Sequence, residues 1–183
     1  MKGGVGIGVA EGDGVVAAAI AVLNAFGDVR DAHGAIIAGA RTASGSFVDA
    51  QRLFRHGTIP TAFPQVASAR TNTTLALVAV SVPLERDALA QLAQGATAAL
   101  YRRITPCGTI FDGDVLFAVS PMPAHAIGEQ TTPLQSERSE SDNEAVPLAR
   151  LEALATAALE EAIERAVRLA RGRDGIPGLA DRA

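Results

Sequence analysis

Two hydroxyls and two carboxylates in this chain have the types and the placement for covalent chemistry on an amide. Asn72-Thr73-Thr74 opens the apolar run Leu75-Ala76-Leu77-Val78-Ala79-Val80. Phe111-Asp112-Gly113-Asp114 opens a second run, Val115-Leu116-Phe117-Ala118-Val119. A threonine hydroxyl is too weakly acidic to attack an amide unaided. A cut before Thr73 would free an α-amine, with a reference pKa of about 7.7–8.0, that can take the proton. Thr73 would then be both nucleophile and new N-terminus, and Asn72-Thr73 the cleavage site. Before the cut no amine exists, so the hydroxyl must attack the Asn72 carbonyl in a strained peptide, with a donor ready for the oxyanion. Taken alone, Asn-Thr-Thr is a common tripeptide, and Thr73 reads as a β-branched strand starter.

The carboxylates strengthen the reading. In an extended strand residues i and i+2 share a face, so Asp112 and Asp114 would project together, with Gly113 leaving room beside them. Close like charges raise one pKa, which suits a proton relay or a clamp on an ammonium group. Alone, the same residues read as a surface turn and a charge at a strand start. Asn24 closes an apolar strand just before Gly27-Asp28, and a buried Asn amide there can donate to an oxyanion; the plain reading is a loop Asn. Lys2, beside Gly3-Gly4, is a candidate charge partner or simply a solvated lysine. Gly4, Gly6 and Gly8 do not spell a phosphate loop, because the spacing is wrong and no helix follows. His33, His56 and His125 lack metal-ligand spacing and read as loop residues. Cys107, between Pro106 and Gly108, reads as a loop thiol.

Composition narrows the class. With 183 residues the chain is long enough for one domain with a real core. Aromatics are 4% with no Trp, so Ala, Val, Leu and Gly must fill that core and base-stacking surfaces are not expected. A net charge of −4 gives no electrostatic case for nucleic acid or an anionic membrane. One cysteine excludes an internal disulfide and a multi-Cys metal site. No apolar run reaches the length of a membrane span, and the sequence shows no signal-peptide pattern. A cytoplasmic setting is the expectation.

The elements that must position these residues follow from pattern. Residues 5–10 and 15–23 read as a hairpin about the turn Glu11-Gly12-Asp13-Gly14. A second turn, Asp31-Ala32-His33-Gly34, leads to a strand at 35–40, making a three-stranded meander. Residues 42–72, with a short helical piece at 47–54, read as a linker or surface segment, the accessible loop a self-cleaving junction needs. A strand at 74–80 is followed by one helix over 84–103, with the stripe Leu89, Leu92, Ala93, Ala96, Leu100. Arg102 and Arg103 suit its C-terminal dipole. A strand spans 112–120. The polar stretch 121–147 holds a flexible insertion at 135–144. The longest helix spans 148–171 and ends at Gly172. Strands first and then strand-helix-strand-helix predicts a single α+β domain over 1–183.

Taken in order, these residues resemble the DmpA-type family of L-aminopeptidase/D-esterases, β-peptidyl aminopeptidases and nylon-oligomer hydrolases. The matching stretches are Lys2-Gly3-Gly4-Val5-Gly6, Val22-Leu23-Asn24-Ala25-Phe26-Gly27-Asp28, Asn72-Thr73-Thr74-Leu75, and Phe111-Asp112-Gly113-Asp114 with Phe117-Ala118. The separation 112 − 73 = 39 is similar to the family's. The resemblance implies an αββα sandwich of the DmpA/ornithine-acetyltransferase type. It also implies self-cleavage into parts 1–72 and 73–183 that stay together, and a cofactor-free amidohydrolase, commonly a tetramer, acting on small peptides or amides. It would make Thr73 the nucleophile, place Asn24 in the oxyanion hole, let Asp112 and Asp114 orient and tune the nucleophile or its amine, and have Lys2 assist. The Thr nucleophile with an Asp pair looks closer to the nylon-oligomer branch. Family members carry a substantial segment before the Lys-Gly-Gly stretch. The fold is therefore expected to be incomplete at the N-terminus, with part of the pocket missing and the isolated chain open to being inactive. An acyltransferase of the ornithine acetyltransferase type and a non-enzymatic interaction domain or inactive fragment are the alternatives. The choice among β-peptides, α-peptide amides, D-esters and ω-amino-acid oligomers stays open.

Overall fold

Alternation of small and branched residues over the first twenty-odd positions makes two strands with one face that a helix can approach closely. The structure, a computed structural model, describes residues 1–57, 72–122 and 146–182. In chain order its elements are β1 (Val5–Gly12), β2 (Val15–Asn24), β3 (Asp28–Arg30), β4 (Ile36–Ala38), α1 (Ala50–Arg55), β5 (Thr73–Val80), α2 (Arg86–Ala96), α3 (Ala98–Arg103), β6 (Ile104–Thr105), β7 (Val115–Val119) and α4 (Leu148–Arg168). The expected hairpin forms: β1 and β2 pair antiparallel, and Asp13 and Gly14 turn the chain with φ of 43° and 77°. Both central residues at positive φ match the twist of a tight hairpin. β2 then pairs antiparallel with β5, and β5 pairs parallel with β7, giving the order β1-β2-β5-β7.

Three expectations need correction. The strand after the second turn does not extend a meander: β4 joins a separate small sheet of order β4-β3-β6. Both edges of β2 are already taken by β1 and β5, so no ladder there was open to it. The helix over 84–103 is two helices, α2 and α3, broken at Thr97, whose Oγ1 donates to the Ala93 carbonyl at 2.9 Å. Such back-bonding competes with the helical ladder. The last strand starts at Val115 rather than at residue 112. The insertion expected at 135–144 lies outside the described residues.

α4 lies across β1 and β2 and buries Leu151, Leu159, Ile163 and Val167 along with four alanines and Thr156. The contact is close because the strand beneath is glycine. A Cβ on Gly6 would stand 2.0 Å from the Ala162 carbonyl oxygen, and one on Gly8 2.1 Å from that of Ala158. Facing them on β2, Ala17, Ala19 and Ala21 are fully or almost fully buried. A protein with few aromatics thus reaches interior density by bringing backbones together rather than by filling space with side chains.

The other face of the large sheet is bare among the described residues. It exposes Val5, Ile7 and Val9 of β1, Val16, Ile20 and Val22 of β2, Leu75 of β5, and Val115, Phe117 and Val119 of β7. One helical layer on one sheet is half of the expected αββα arrangement. An apolar sheet face of this extent is the kind of surface that a second sheet covers in a sandwich. No helix of the described residues is long and apolar enough to cross a membrane.

Candidate active site

The strand register brings the candidate residues to one end of the large sheet. In the β2–β5 ladder Asn24 stands directly opposite Thr73. In the β5–β7 ladder Leu75 pairs with Val115, an offset of 115 − 75 = 40. A parallel bridge between Asn72 and Asp112 continues that offset, 112 − 72 = 40, ahead of the start of β7. Gly113 and Asp114 therefore run alongside Thr73 and Thr74. The Asn72–Thr73 peptide lies between the end of β2 and the Asp-Gly-Asp segment.

Local bonds hold this arrangement. Thr73 is half-buried, and its Oγ1 donates to the Asn72 carbonyl oxygen at 2.8 Å. The Gly113 amide donates to the same oxygen at 2.9 Å. Asp114 Oδ1 accepts from the Thr74 amide at 2.7 Å, and its Oδ2 accepts from the Cys107 thiol at 3.4 Å. Asp112 Oδ2 is engaged by its own turn, accepting from the Thr109 amide at 3.0 Å and from Thr109 Oγ1 at 2.7 Å. The two carboxylates do border one cavity of about 400 Å³, together with Tyr101, Cys107 and Thr109. Burial, and then the charge of Asp114, push the Cys107 thiol up to about 12 from the ordinary 9.0. The sulfur is a neutral donor to Asp114, not a nucleophile.

Lys2 and Asn24 lie on the other side of the peptide. With Asn72 they line a second cavity, of about 500 Å³. Asn24 is exposed, because alternation along β2 places it with Val16, Ile20 and Val22 on the sheet face away from α4. The structure thus divides the candidates: Lys2, Asn24 and Asn72 border one cavity, Asp112 and Asp114 the other, and Thr73 stands at the ladder between them. His33 lies in a turn and His56 caps the end of α1, both exposed, and His125 lies outside the described residues.

Sequence reasoning missed two parts of the site. Phe26, Phe54 and Phe111 cluster with ring centroids 5.2 to 6.4 Å apart, tying the loop after β2 and helix α1 to the turn that carries Asp112. With only six Phe in the chain, three spaced across 85 positions carry no local signal. The other is Asp28, 1% exposed, whose Oδ2 accepts from the Ala50 amide at 2.7 Å and so fixes the start of α1. Burial raises the Asp28 pKa, against lowering by the Ala50 hydrogen bond.

A sequence profile of Peptidase family S58 matches residues 1–179. No curated protein matches the chain. Among solved structures, an L-aminopeptidase D-Ala-esterase/amidase from Ochrobactrum anthropi, described as a prototype for the serine aminopeptidases and a new variant among the Ntn hydrolase fold, superposes with a TM-score of 0.57 at 23% identity. The alignment covers 96% of this chain and 43% of that one. The PH0078 protein from Pyrococcus horikoshii OT3 superposes with a TM-score of 0.54 at 19% identity, covering 96% of this chain and 42% of that one. At such identities the likeness establishes the fold. This chain spans less than half the length of either structure.

Proposed function

The chain belongs to peptidase family S58, and on that premise we propose that it is the nucleophile-bearing part of a self-processing N-terminal-nucleophile amidohydrolase. The observation that carries the reading is the position of the Asn72–Thr73 peptide. Its hydroxyl and carbonyl oxygen are 2.8 Å apart, with Asn24 across one ladder and the Asp-Gly-Asp segment along the other. Self-cleavage yields parts 1–72 and 73–183.

In the processed enzyme the Thr73 amine takes the hydroxyl proton as Oγ1 attacks the carbonyl carbon of a small peptide or other linear amide. The substrate C–N bond breaks, the amine leaves with a proton, and an acyl ester remains on Thr73. Water attacks that ester, releases the acid and restores the hydroxyl. Asn24 donates to the oxyanion, and Lys2 borders the same cavity as a positive partner. Asp114, already bonded to the Thr74 amide, lies beside the new ammonium, and Asp112 holds the turn that presents it. The reaction uses no cofactor. Processed pairs assemble as a tetramer in the cytoplasm. The match to a peptidase family favours hydrolysis over the acyl-transfer alternative.

The test is the intact mass of the full chain, wild type beside Thr73→Ala, with hydrolysis of an amide panel followed in parallel. Two pieces meeting at 72/73 and amide turnover are expected in the wild type only. Processing and activity that survive Thr73→Ala refute the reading.

A further inference from the structure

The Asn72 carbonyl oxygen is the atom that must take negative charge when Thr73 attacks its own peptide, and it already has a backbone donor. The Gly113 amide points at it from 2.9 Å. We infer that Gly113 supplies the oxyanion donor for self-cleavage, and that its lack of a side chain is what lets the nucleophile stand beside that donor. The inference rests on the proposed role of Thr73 and extends it to a residue with no titratable group.

Three observations converge on Gly113. Its amide hydrogen bond is a rung of the parallel ladder between Asn72 and Asp112, so sheet pairing fixes the donor before the reaction starts. A donor held in place by the fold needs no reorganisation as charge develops, which is the condition under which such donors are most effective. Second, the chain just beyond the cut is gripped by the next residue along the same segment: Asp114 Oδ1 holds the amide of Thr74, the second residue after the cut, at 2.7 Å. One side of the peptide is tied at its carbonyl and the other at the following amide, both to the same short segment. Third, the space is restricted. A Cβ on Gly113 would stand 2.9 Å from Thr73 Oγ1 and 3.7 Å from the Asn72 carbonyl oxygen. Threonine has a branched, stiff χ1, so it cannot swing aside without turning its hydroxyl away from the carbonyl.

The step balances without a co-reactant other than water. Thr73 Oγ1 forms a bond to the Asn72 carbonyl carbon, and the C=O π pair moves onto the oxygen that Gly113 N–H holds. As that pair returns, the C–N bond to Thr73 breaks. The proton lost by the hydroxyl ends on the departing nitrogen. The product is an Asn72 ester on the Thr73 side chain with a free α-amine, and water hydrolyses the ester to the Asn72 carboxylate and the hydroxyl. The rate read for this donor is that of processing.

The deciding experiment replaces Gly113 in the full chain by glycolate, turning the peptide N–H into an ester oxygen and leaving the shape unchanged. Processing is followed by intact mass over time, with thermal unfolding as the check on folding. Loss of one oxyanion donor lowers such rates about 10²–10³-fold, and a slowing of that size with a melting temperature near that of the wild type is expected. Gly113→Ala, which keeps the amide but fills the space, is also expected to slow the cut at least tenfold. A glycolate chain that folds and cuts within about threefold of the wild type overturns the inference. So does slowing that merely follows a fall in thermal stability, since a ladder rung with only a structural role would act that way. Thr73→Ala run alongside separates the two levels. If Thr73→Ala stays uncut while the glycolate chain cuts normally, only the Gly113 inference falls. If Thr73→Ala is still cut, the nucleophile assignment falls and takes this inference with it.

Discussion

Replacing Gly6 by alanine tests whether α4 sits on β1 as closely as the structure has it. The added Cβ would stand 2.0 Å from the Ala162 carbonyl oxygen and 2.4 Å from the Ala166 amide nitrogen. Both are helix backbone, with no rotamer through which to yield. To restore an ordinary contact of 3.4 Å the helix must withdraw by 3.4 − 2.0 = 1.4 Å at that point. A gap of about 0.5–1 Å already forfeits a quarter to a half of the dispersion energy of the contacts it opens. Around this point those contacts belong to Leu159 and Ile163, both fully buried. Overpacking costs about 1–3 kcal/mol, and an unyielding neighbour puts Gly6→Ala at the upper end, about 3 kcal/mol. For a chain of this size that is a fall of about 6–12 °C in melting temperature. Gly12→Ala is the matched control on the same strand. Its Cβ would meet nothing nearer than Arg150 Nη2 at 3.5 Å, so it should be neutral or slightly stabilising. Thermal unfolding followed by circular dichroism reads both variants. A Gly6→Ala melting temperature within about 2 °C of the wild type, or no lower than that of Gly12→Ala, refutes the close-packing argument.

Two further outcomes follow from the titratable groups, beside those stated for Thr73 and Gly113. With its thiol pushed from 9.0 to about 12, Cys107 carries about a thousandfold less thiolate than a free cysteine near neutral pH. Alkylation by iodoacetamide should be slower by about that factor and should speed up in Asp114→Asn, whereas labelling at the free-cysteine rate would contradict the geometry. Asp28 has a folded pKa above its ordinary 3.8, chiefly from burial. Its contribution is therefore fully present below 3.8 and is lost as pH rises through the folded value. Asp28→Asn keeps an acceptor for the Ala50 amide and cannot ionise. Its urea midpoint relative to the wild type should climb as pH rises from about 3 to 7, and a difference flat across that range would sink the assignment.

The candidate chemistry was legible because it lies in local pattern. Thr73 and the Asp-Gly-Asp segment each sit at the start of an apolar run, and two apolar strands starting with polar groups can be read without knowing their partners. The constant offset of 40 between the two runs emerges only once they pair. That Asp112 spends an oxygen on Thr109 was also hidden, because alternation along a strand says which side a carboxylate takes and not what meets it there. Gly4, Gly6 and Gly8 show the same limit. Their spacing ruled out a phosphate loop, but their purpose depends on a helix some 150 residues further on.

Sequence alone determined the hairpin, the two runs that become β5 and β7, the long C-terminal helix and the hydroxyl and carboxylates that open those runs. Side-chain periodicity and turn residues act over a few positions and need no partner. Tertiary structure decided the rest: β4 leaving the large sheet because both edges of β2 were occupied, the exposure of Asn24, the gathering of Phe26, Phe54 and Phe111, and the meeting of the Gly113 amide with the Asn72 carbonyl. Each of these depends on which distant segment takes a free ladder edge or a vacant face, and that competition is settled by pairing and packing across the whole chain.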